Sequence, residues 1–317
     1  MDIRNHFQLC VLLAKEDPTN GGWVVLCQDV GLFLRDRICP HCGDNAKLVL
    51  EKSKNMYMWR CRKRGANPHD FKESLAKNTL FAKTKLPVDR VLHIIYFFAF
   101  GENTYDTIIR ESSTNDVVTS RESVVQWMAW LREVCFIWLD RHFENEGRIG
   151  GPGVVVEIDE TKIGKRKYNR GRNVDGHWIV GMVEIDVVEG RGKGGRFRLE
   201  ICKPPALALD GKPRGRLELE AIIRKHVEPG YNHLTVNHQT NFIDPNTFAN
   251  TQTIESQWRP LKYKLRKEGV RDEYLAYHLC EYLWRRHFKE TNLFMSFLRC
   301  AAEVYNPAVP PPEAEDA

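Results

Sequence analysis

Val154-Val155-Val156-Glu157-Ile158-Asp159-Glu160-Thr161 is a β-branched run that closes on carboxylates. A short apolar segment of this kind reads as a buried strand. Its acids are costly to bury unless a metal or another partner compensates them. The residues that follow include Lys162, Lys165, Arg166, Lys167, Arg170 and Arg172, with no acid among them. Carboxylates aimed at a hard cation, beside positive charge suited to phosphate, point to metal-assisted chemistry on a nucleic-acid backbone. The same residues also fit an ordinary strand end followed by a solvated basic hairpin, and the segment alone does not separate the two.

The chain of 317 residues is long enough for two domains. Its mean hydropathy of −0.46 is that of a soluble globular protein. A net charge of +5 is only mildly basic, so nucleic-acid binding must rest on local clustering. Nine cysteines, an odd number, are scattered along the chain, and only Cys39, Cys42 and Cys61 group. No secretory signal is expected, and free thiols in a reducing compartment fit better than a disulfide framework. The most apolar stretch, Leu92 to Phe100, is far short of the ~20 residues of a membrane helix.

Upstream of the opening segment, Trp23-Val24-Val25-Leu26-Cys27 suggests a short strand. Val88, Val91, Leu92, Ile95 and Ala99 have helical spacing, with Pro87 suited to the first turn and Gly101 to the end. Thr104 to about Arg110 reads as a second short helix. Ser120 is placed to cap a long helix with Val124, Trp127, Met128, Leu131, Cys135 and Trp138 on one face. This outline fits a helix-turn-helix module and, nearly as well, a plain helical bundle.

Glycines 147, 150, 151 and 153 with Pro152 suggest a linker into a second domain. Strands are expected at Val154–Asp159, His177–Val187, Arg196–Cys202 and His233–Val236. Helices are expected from Leu217 to Val227, from Ile254 to about Lys267 and from about Asp272 to Tyr305. Gly190-Arg191-Gly192-Lys193-Gly194-Gly195 reads as a hairpin tip rather than a phosphate loop, because no helix opens after it. The tail from Asn306 is Pro-rich, then acidic, and is expected to be disordered.

Two constellations carry chemistry. Cys39-Pro-His-Cys42 can place two thiolates on one ion, Cys61 offers a third ligand, and His69 stands in for the absent fourth cysteine of a structural zinc site. His41, inside the knuckle, is expected to point away. A ribbon that has lost its metal is the competing reading. The second constellation pairs Asp159 with Glu255, near the start of a late helix where the macrodipole also favours a carboxylate. Three strands, a helix and a late acid-bearing helix follow the order of an RNase H-like fold, in which acids hold two divalent ions for in-line phosphodiester displacement.

At this point the chain resembles a Merlin-type DDE transposase, a family related to bacterial insertion-sequence (ISXO-like) transposases. The matching blocks run in order over roughly residues 36 to 290. They are Cys39-x-x-Cys42, Tyr105 to Arg110, Val156 to Lys162, Gly176 to Gly181, Tyr231 to His238, Asn241 to Pro245 and Thr251 to Trp258. The resemblance implies cut-and-paste DNA transposition, with Asp159 and Glu255 as the first and third catalytic acids and as ligands of Mg or Mn. The implied partners are double-stranded DNA bearing terminal inverted repeats and a second copy in a homodimer, with no membrane. Lys162, Lys165, Arg166, Lys167, Arg259 and Lys262 are the residues assigned to the DNA backbone. Location would be nuclear in a eukaryote and cytoplasmic otherwise. The domains would be a leading segment 1–35, a zinc-ribbon-like segment 36–83, a helical DNA-binding-like module 84–146, an α/β RNase H-like domain with C-terminal helices 147–305, and the tail 306–317.

One departure is decisive. The family carries its second aspartate on a strand between a Pro-Gly pair and a Tyr-Asn-His-Leu segment, whereas here Pro229-Gly230 runs directly into Tyr231-Asn232-His233-Leu234. Glu228 and Asp244 are the only acids between that helix and Glu255, and neither is placed to substitute. Phe248 and Asn250 also stand where the resemblance calls for Gly and His. The expectation is a sheet lacking one central strand and a transposase-derived DNA-binding protein that neither cuts nor joins DNA. An active transposase whose coding sequence near Gly230 has been skipped, and a zinc-ribbon interaction adaptor, are the alternatives.

Overall fold

The computed structural model describes residues 2–52, 56–65, 67–101, 104–163, 176–188, 191–202, 216–236, 243–247, 249–268 and 270–309. It is a mixed α/β protein with two separate three-stranded antiparallel sheets, β1–β2–β3 and β4–β5–β6. In chain order the elements are α1 (His6–Leu13), α2 (Trp23–Asp29), β1 (Lys47–Glu51), β2 (Met56–Lys63), β3 (His69–Ser74), α3 (Val88–Phe100), α4 (Tyr105–Ser112) and α5 (Arg121–Glu146). There follow β4 (Val155–Ile163), β5 (His177–Val188), β6 (Arg191–Ile201), α6 (Arg216–His226), α7 (Gln252–Glu268), α8 (Leu275–His287) and α9 (Leu293–Val304). The chain forms two compact units, one of residues 1–138 with 284–317 and one of residues 139–283. The last helix thus returns to the unit of the N-terminal elements, rather than staying with the second sheet as a 147–305 division would have it.

The first unit is organised by α3. Nine consecutive residues, Val91 to Ala99, are buried, so this helix is covered on all sides. Phe98 packs on Phe297 and Tyr96 on Phe294, both from α9. Gly101 ends α3 at φ +69°, the left-handed region that glycine enters without a Cβ clash. Arg285 completes that terminus by donating to the carbonyls of Ala99 and Phe98. Thr104 caps α4, and Ser120 accepts from the Ser123 amide at the head of α5, as the residue types predict. Val124, Trp127, Met128, Leu131 and Cys135 are buried on one face of α5.

Trp23–Cys27 is helical, not a strand. A run this short has no decisive period. Val24, Leu26 and Cys27 find burial within one helical turn, and Trp23 stands edge-on to Phe33 and Tyr57.

The second unit is a layered arrangement. β4, β5 and β6 form a meander in which Asp159 pairs with Gly181, and Gly181 with Leu199. One face packs on α6, with Val156, Ile158, Val180 and Met182 against Leu219, Ile222 and Ile223. The other face receives α7 through Ile254 and Trp258, both buried. The glycine-rich segment is mostly strand rather than hairpin tip: Arg191, Gly192, Lys193 and Gly194 pair with Val188, Val187, Asp186 and Ile185. The register shifts between Val183 and Ile185, where Gly195-Arg196 of β6 bulge opposite Glu184. Arg196 pairs there with Glu184, whose carboxylate also accepts from the Gly150 amide at 2.7 Å.

The expected strand at His233–Val236 is not formed; residues 231–236 are irregular, with Tyr231 and Leu234 exposed and no apolar face to bury. Among the described residues β4 pairs with β5 alone among the strands. The single parallel contact described is a bridge between Ile149 and Val227, just before Pro229-Gly230. No described helix is long and apolar enough to cross a membrane.

Gly181 is where α7 comes closest to the sheet: a Cβ there would run into the Trp258 ring and lie 2.9 Å from Ile254 Cδ1. Gly181→Ala should therefore push α7 outward and cost about 1–3 kcal/mol, read as a lower urea midpoint; an unchanged midpoint would disprove this packing.

Candidate functional site

The Cys/His cluster is built by the first sheet and the loop before it. The Cys39 amide donates to the Asp44 carbonyl at 2.8 Å and the Gly43 amide to the Cys39 carbonyl at 3.0 Å, folding Cys39–Gly43 into a tight knuckle. Gly43 completes that turn at φ +73°. Cys61 lies in β2 and His69 opens β3, and the pairing of Lys63 with His69 brings both side chains beneath the knuckle. Cys42 Sγ lies 3.7 Å from Cys61 Sγ, and His69 Nε2 lies 3.5 Å from Cys61 Sγ and 3.6 Å from Cys39 Sγ. Zinc with bonds of about 2.3 Å to sulfur and about 2.0 Å to nitrogen has tetrahedral edges of about 3.8 Å between sulfurs and about 3.5 Å between sulfur and nitrogen. The observed edges match, so Cys39, Cys42, Cys61 and His69 could hold a structural zinc ion.

The surroundings agree. His69 Nδ1–H donates to the Asn67 carbonyl at 2.9 Å, which fixes the tautomer that presents Nε2 to an ion. Burial raises the Cys61 thiol to about 11, with the neighbouring sulfurs adding to the rise. Burial also works against ionisation of Cys39, but the His41 and Cys42 amides together with the Cys42 and Cys61 thiols outweigh it and leave that thiol lowered. Crowded sulfurs of this kind gain most from a cation among them. His41 stays outside the cluster, its ring 5.4 Å from that of His69. All nine cysteines are free thiols.

The acids of the second unit are positioned by α7. Its first turn rests on β4: the Ile254 amide donates to Glu157 Oε2 at 2.8 Å, and Trp258 Nε1–H donates to Asp159 Oδ2 at 2.7 Å. Glu255, between those two residues, is held by the Thr251 hydroxyl at 2.9 Å. Asp159 and Glu255 therefore stand on adjoining elements. Glu157 has no part in the pairing expected from sequence; its position two residues before Asp159, on the same strand face, is the signal that marks it. It is buried and caps α7 across 97 residues of chain. Burial raises its pKa above the ordinary glutamate range, the Ile254 and Thr253 donors pull it down, and the Glu255 charge adds to the rise.

Among the described residues, no cluster of three metal-ligand side chains includes Asp159 or Glu255. Asp244 is committed to its own turn, accepting from the Asn246 and Thr247 amides and the Thr247 hydroxyl. Glu228 is exposed, and its amide pairs with the Ile149 carbonyl. Of the basic residues, Lys162 is half-buried with its ammonium 5.9 Å from the Trp178 ring centroid. Arg259 is exposed and Lys262 half-buried on α7. Lys264 is paired with buried Glu281 at 2.7 Å, so it is not available to a phosphate. Lys165, Arg166 and Lys167 lie outside the described residues, as do Phe248 and residues 237–242.

The chain is similar to Male abnormal protein mab-31 of Caenorhabditis elegans, 26% identical over 178 residues that cover 53% of this chain and 41% of that protein. The chain thus spans well under half the length of this curated relative. No protein-family model matches the chain, and no solved structure matches it.

Cys61→Ser should lower bound zinc by one equivalent per chain, whereas His69→Cys should keep that equivalent, because thiolate replaces imidazole in a tetrahedral site; metal analysis after dialysis checks both. For Glu157, a carboxyl whose pKa is higher in the folded state contributes stability at low pH and loses it as pH rises through the folded value. Glu157→Gln keeps an acceptor for Ile254 without the charge. Its stability relative to the parent should therefore rise between about pH 4 and pH 7, measured by urea unfolding; a pH-independent difference would contradict the raised pKa.

Proposed function

We propose that this chain is a transposase-derived, double-stranded-DNA-binding protein of the Merlin-type DDE lineage, with a structural zinc in its ribbon and a remnant RNase H-like domain that neither cuts nor joins DNA. One observation carries the reading: α7, which bears Glu255, docks on β4, which bears Asp159, while among the described residues no cluster of three metal-ligand side chains includes either acid. The order of β4, β5, β6, α6 and α7 supports the RNase H-like assignment. Two carboxylates lack the bridging ligand and the charge of three. Mg²⁺ requires near-ideal octahedral geometry, so Mg²⁺ or Mn²⁺ would bind weakly and position poorly between Asp159 and Glu255. Lys162, Arg259 and Lys262, with Lys165, Arg166 and Lys167, are the candidate backbone contacts. DNA of terminal-repeat type would be the substrate class, and a nuclear location would follow in a eukaryote.

The Ile149–Val227 bridge favours one second reading. That isolated parallel bridge lies two residues before Pro229-Gly230, the point after which the family's fourth strand would follow. An active transposase whose coding sequence has been skipped between Gly230 and Tyr231 would look the same on either side of that junction. In-frame genomic sequence at the junction encoding a strand with an aspartate would favour this reading over the relic.

Duplex-DNA affinity should fall steeply with salt. Replacing Lys162, Arg259 and Lys262 by Ala should flatten the log–log slope by about 1 for each phosphate interaction removed. No Mg²⁺- or Mn²⁺-dependent cleavage of terminal-repeat DNA is expected. Salt-independent affinity would remove the DNA-binding reading, and metal-dependent cleavage by the 317-residue chain would remove the inactive one.

A further inference from the structure

A second group of metal-ligand side chains shares no residue with the ribbon cluster. On α1, His6 and Cys10 stand four residues apart, neighbours on one helix face. His93 meets them from the buried run of α3. His6 Nε2 is 3.1 Å from His93 Nδ1 and 3.8 Å from Cys10 Sγ. The three donor atoms all lie within 4.8 Å of one another. On a tetrahedral zinc ion two imidazole nitrogens would be about 3.3 Å apart, and nitrogen and sulfur about 3.5 Å apart. Two edges of the triangle are close to those of such a tetrahedron, and the third is no longer than 4.8 Å.

The ligands are held before any ion arrives. His93 is 5% exposed. The His6 ring lies against Tyr96 and Phe97, with centroids 5.3 and 4.8 Å away. Asn5 caps α1 by accepting from the Gln8 amide, which fixes the turn that carries His6. A His–His hydrogen bond alone would account for the 3.1 Å contact, but not for a thiol one helical turn along on the same face. Two imidazoles and a thiolate suit a borderline-soft ion and not Mg²⁺ or Ca²⁺.

We propose that His6, Cys10 and His93 form a second metal site that binds one zinc ion through three protein ligands, with solvent or an exogenous donor in the fourth position. The ion ties α1 to α3. An eight-residue helix has little stability of its own, and Leu9 and Leu12 are its only buried residues, so such a tie acts on a lightly anchored part of the unit.

The test uses the full chain and zinc itself. Zinc per chain after dialysis should be two equivalents for the parent. It should be one for Cys10→Ser, one for Cys61→Ser and none for the double variant, with circular dichroism reporting whether each remains folded. A parent that holds one equivalent, kept in Cys10→Ser and lost in Cys61→Ser, would overturn the proposal and leave the ribbon site intact. A second measurement needs no variant: zinc should slow iodoacetamide labelling of Cys10 in the parent by at least about tenfold, since a metal-bound thiolate is shielded. An unchanged Cys10 labelling rate would overturn the site.

Discussion

The docking of α7 on β4 is the contact on which the second unit depends. Two polar bonds and one steric allowance make it. The Glu157 carboxylate satisfies an amide at the helix start that would otherwise be buried without a partner, the Asp159 carboxylate takes the Trp258 indole, and the missing side chain at Gly181 lets the indole lie on the sheet. Breaking either bond leaves a buried polar group unsatisfied, which costs more than the bond itself contributes. The apolar share comes from Ile254, Trp258 and Leu261, all buried on the same side of the helix.

That contact also bears on chemistry. Two of the three carboxylates of β4 are occupied with holding a helix: Glu157 is engaged in capping and one oxygen of Asp159 in a bond to an indole. A hydrogen bond to a carboxylate fixes its orientation, so the Trp258 bond sets how Asp159 is presented. In the present chain the same bond suffices as structure. Removing the carboxylate of Glu157 or of Asp159 would therefore disturb the packing of α7.

Legibility in the sequence follows the physical range of each signal. Local signals are readable: the caps at Thr104 and Ser120, the stop at Gly101, the buried face of α5 and the strand pattern of β4 and β5 all appear where short-range chemistry puts them. The ribbon is readable because Cys39-x-x-Cys42 fixes its own geometry; the match of His69 to Cys61 depends only on a hairpin pairing. Trp23–Cys27 departs from expectation because five apolar residues carry no usable period and burial decides the outcome. His233–Val236 departs for the complementary reason, since a strand-like sequence without a neighbouring strand has nothing to pair with. Glu157 and the Lys264–Glu281 pair are invisible because their roles depend on partners distant in the chain. The glycine run of β6 suggests a turn by composition, whereas it accommodates a bulge within a ladder.

That bulge has a consequence for the outer edge of the sheet. A regular edge strand offers a straight row of donors and acceptors to any other chain. β6 carries Gly192, Gly194 and Gly195, a register shift and the Glu184–Arg196 pair at the shift. Its edge is therefore bent and interrupted by charge, and a flat incoming strand could match it over only a few residues. Among the described residues β6 is an edge of its sheet, so the irregularity that composition disguises as a hairpin tip shortens the regular ladder that this edge offers to another strand.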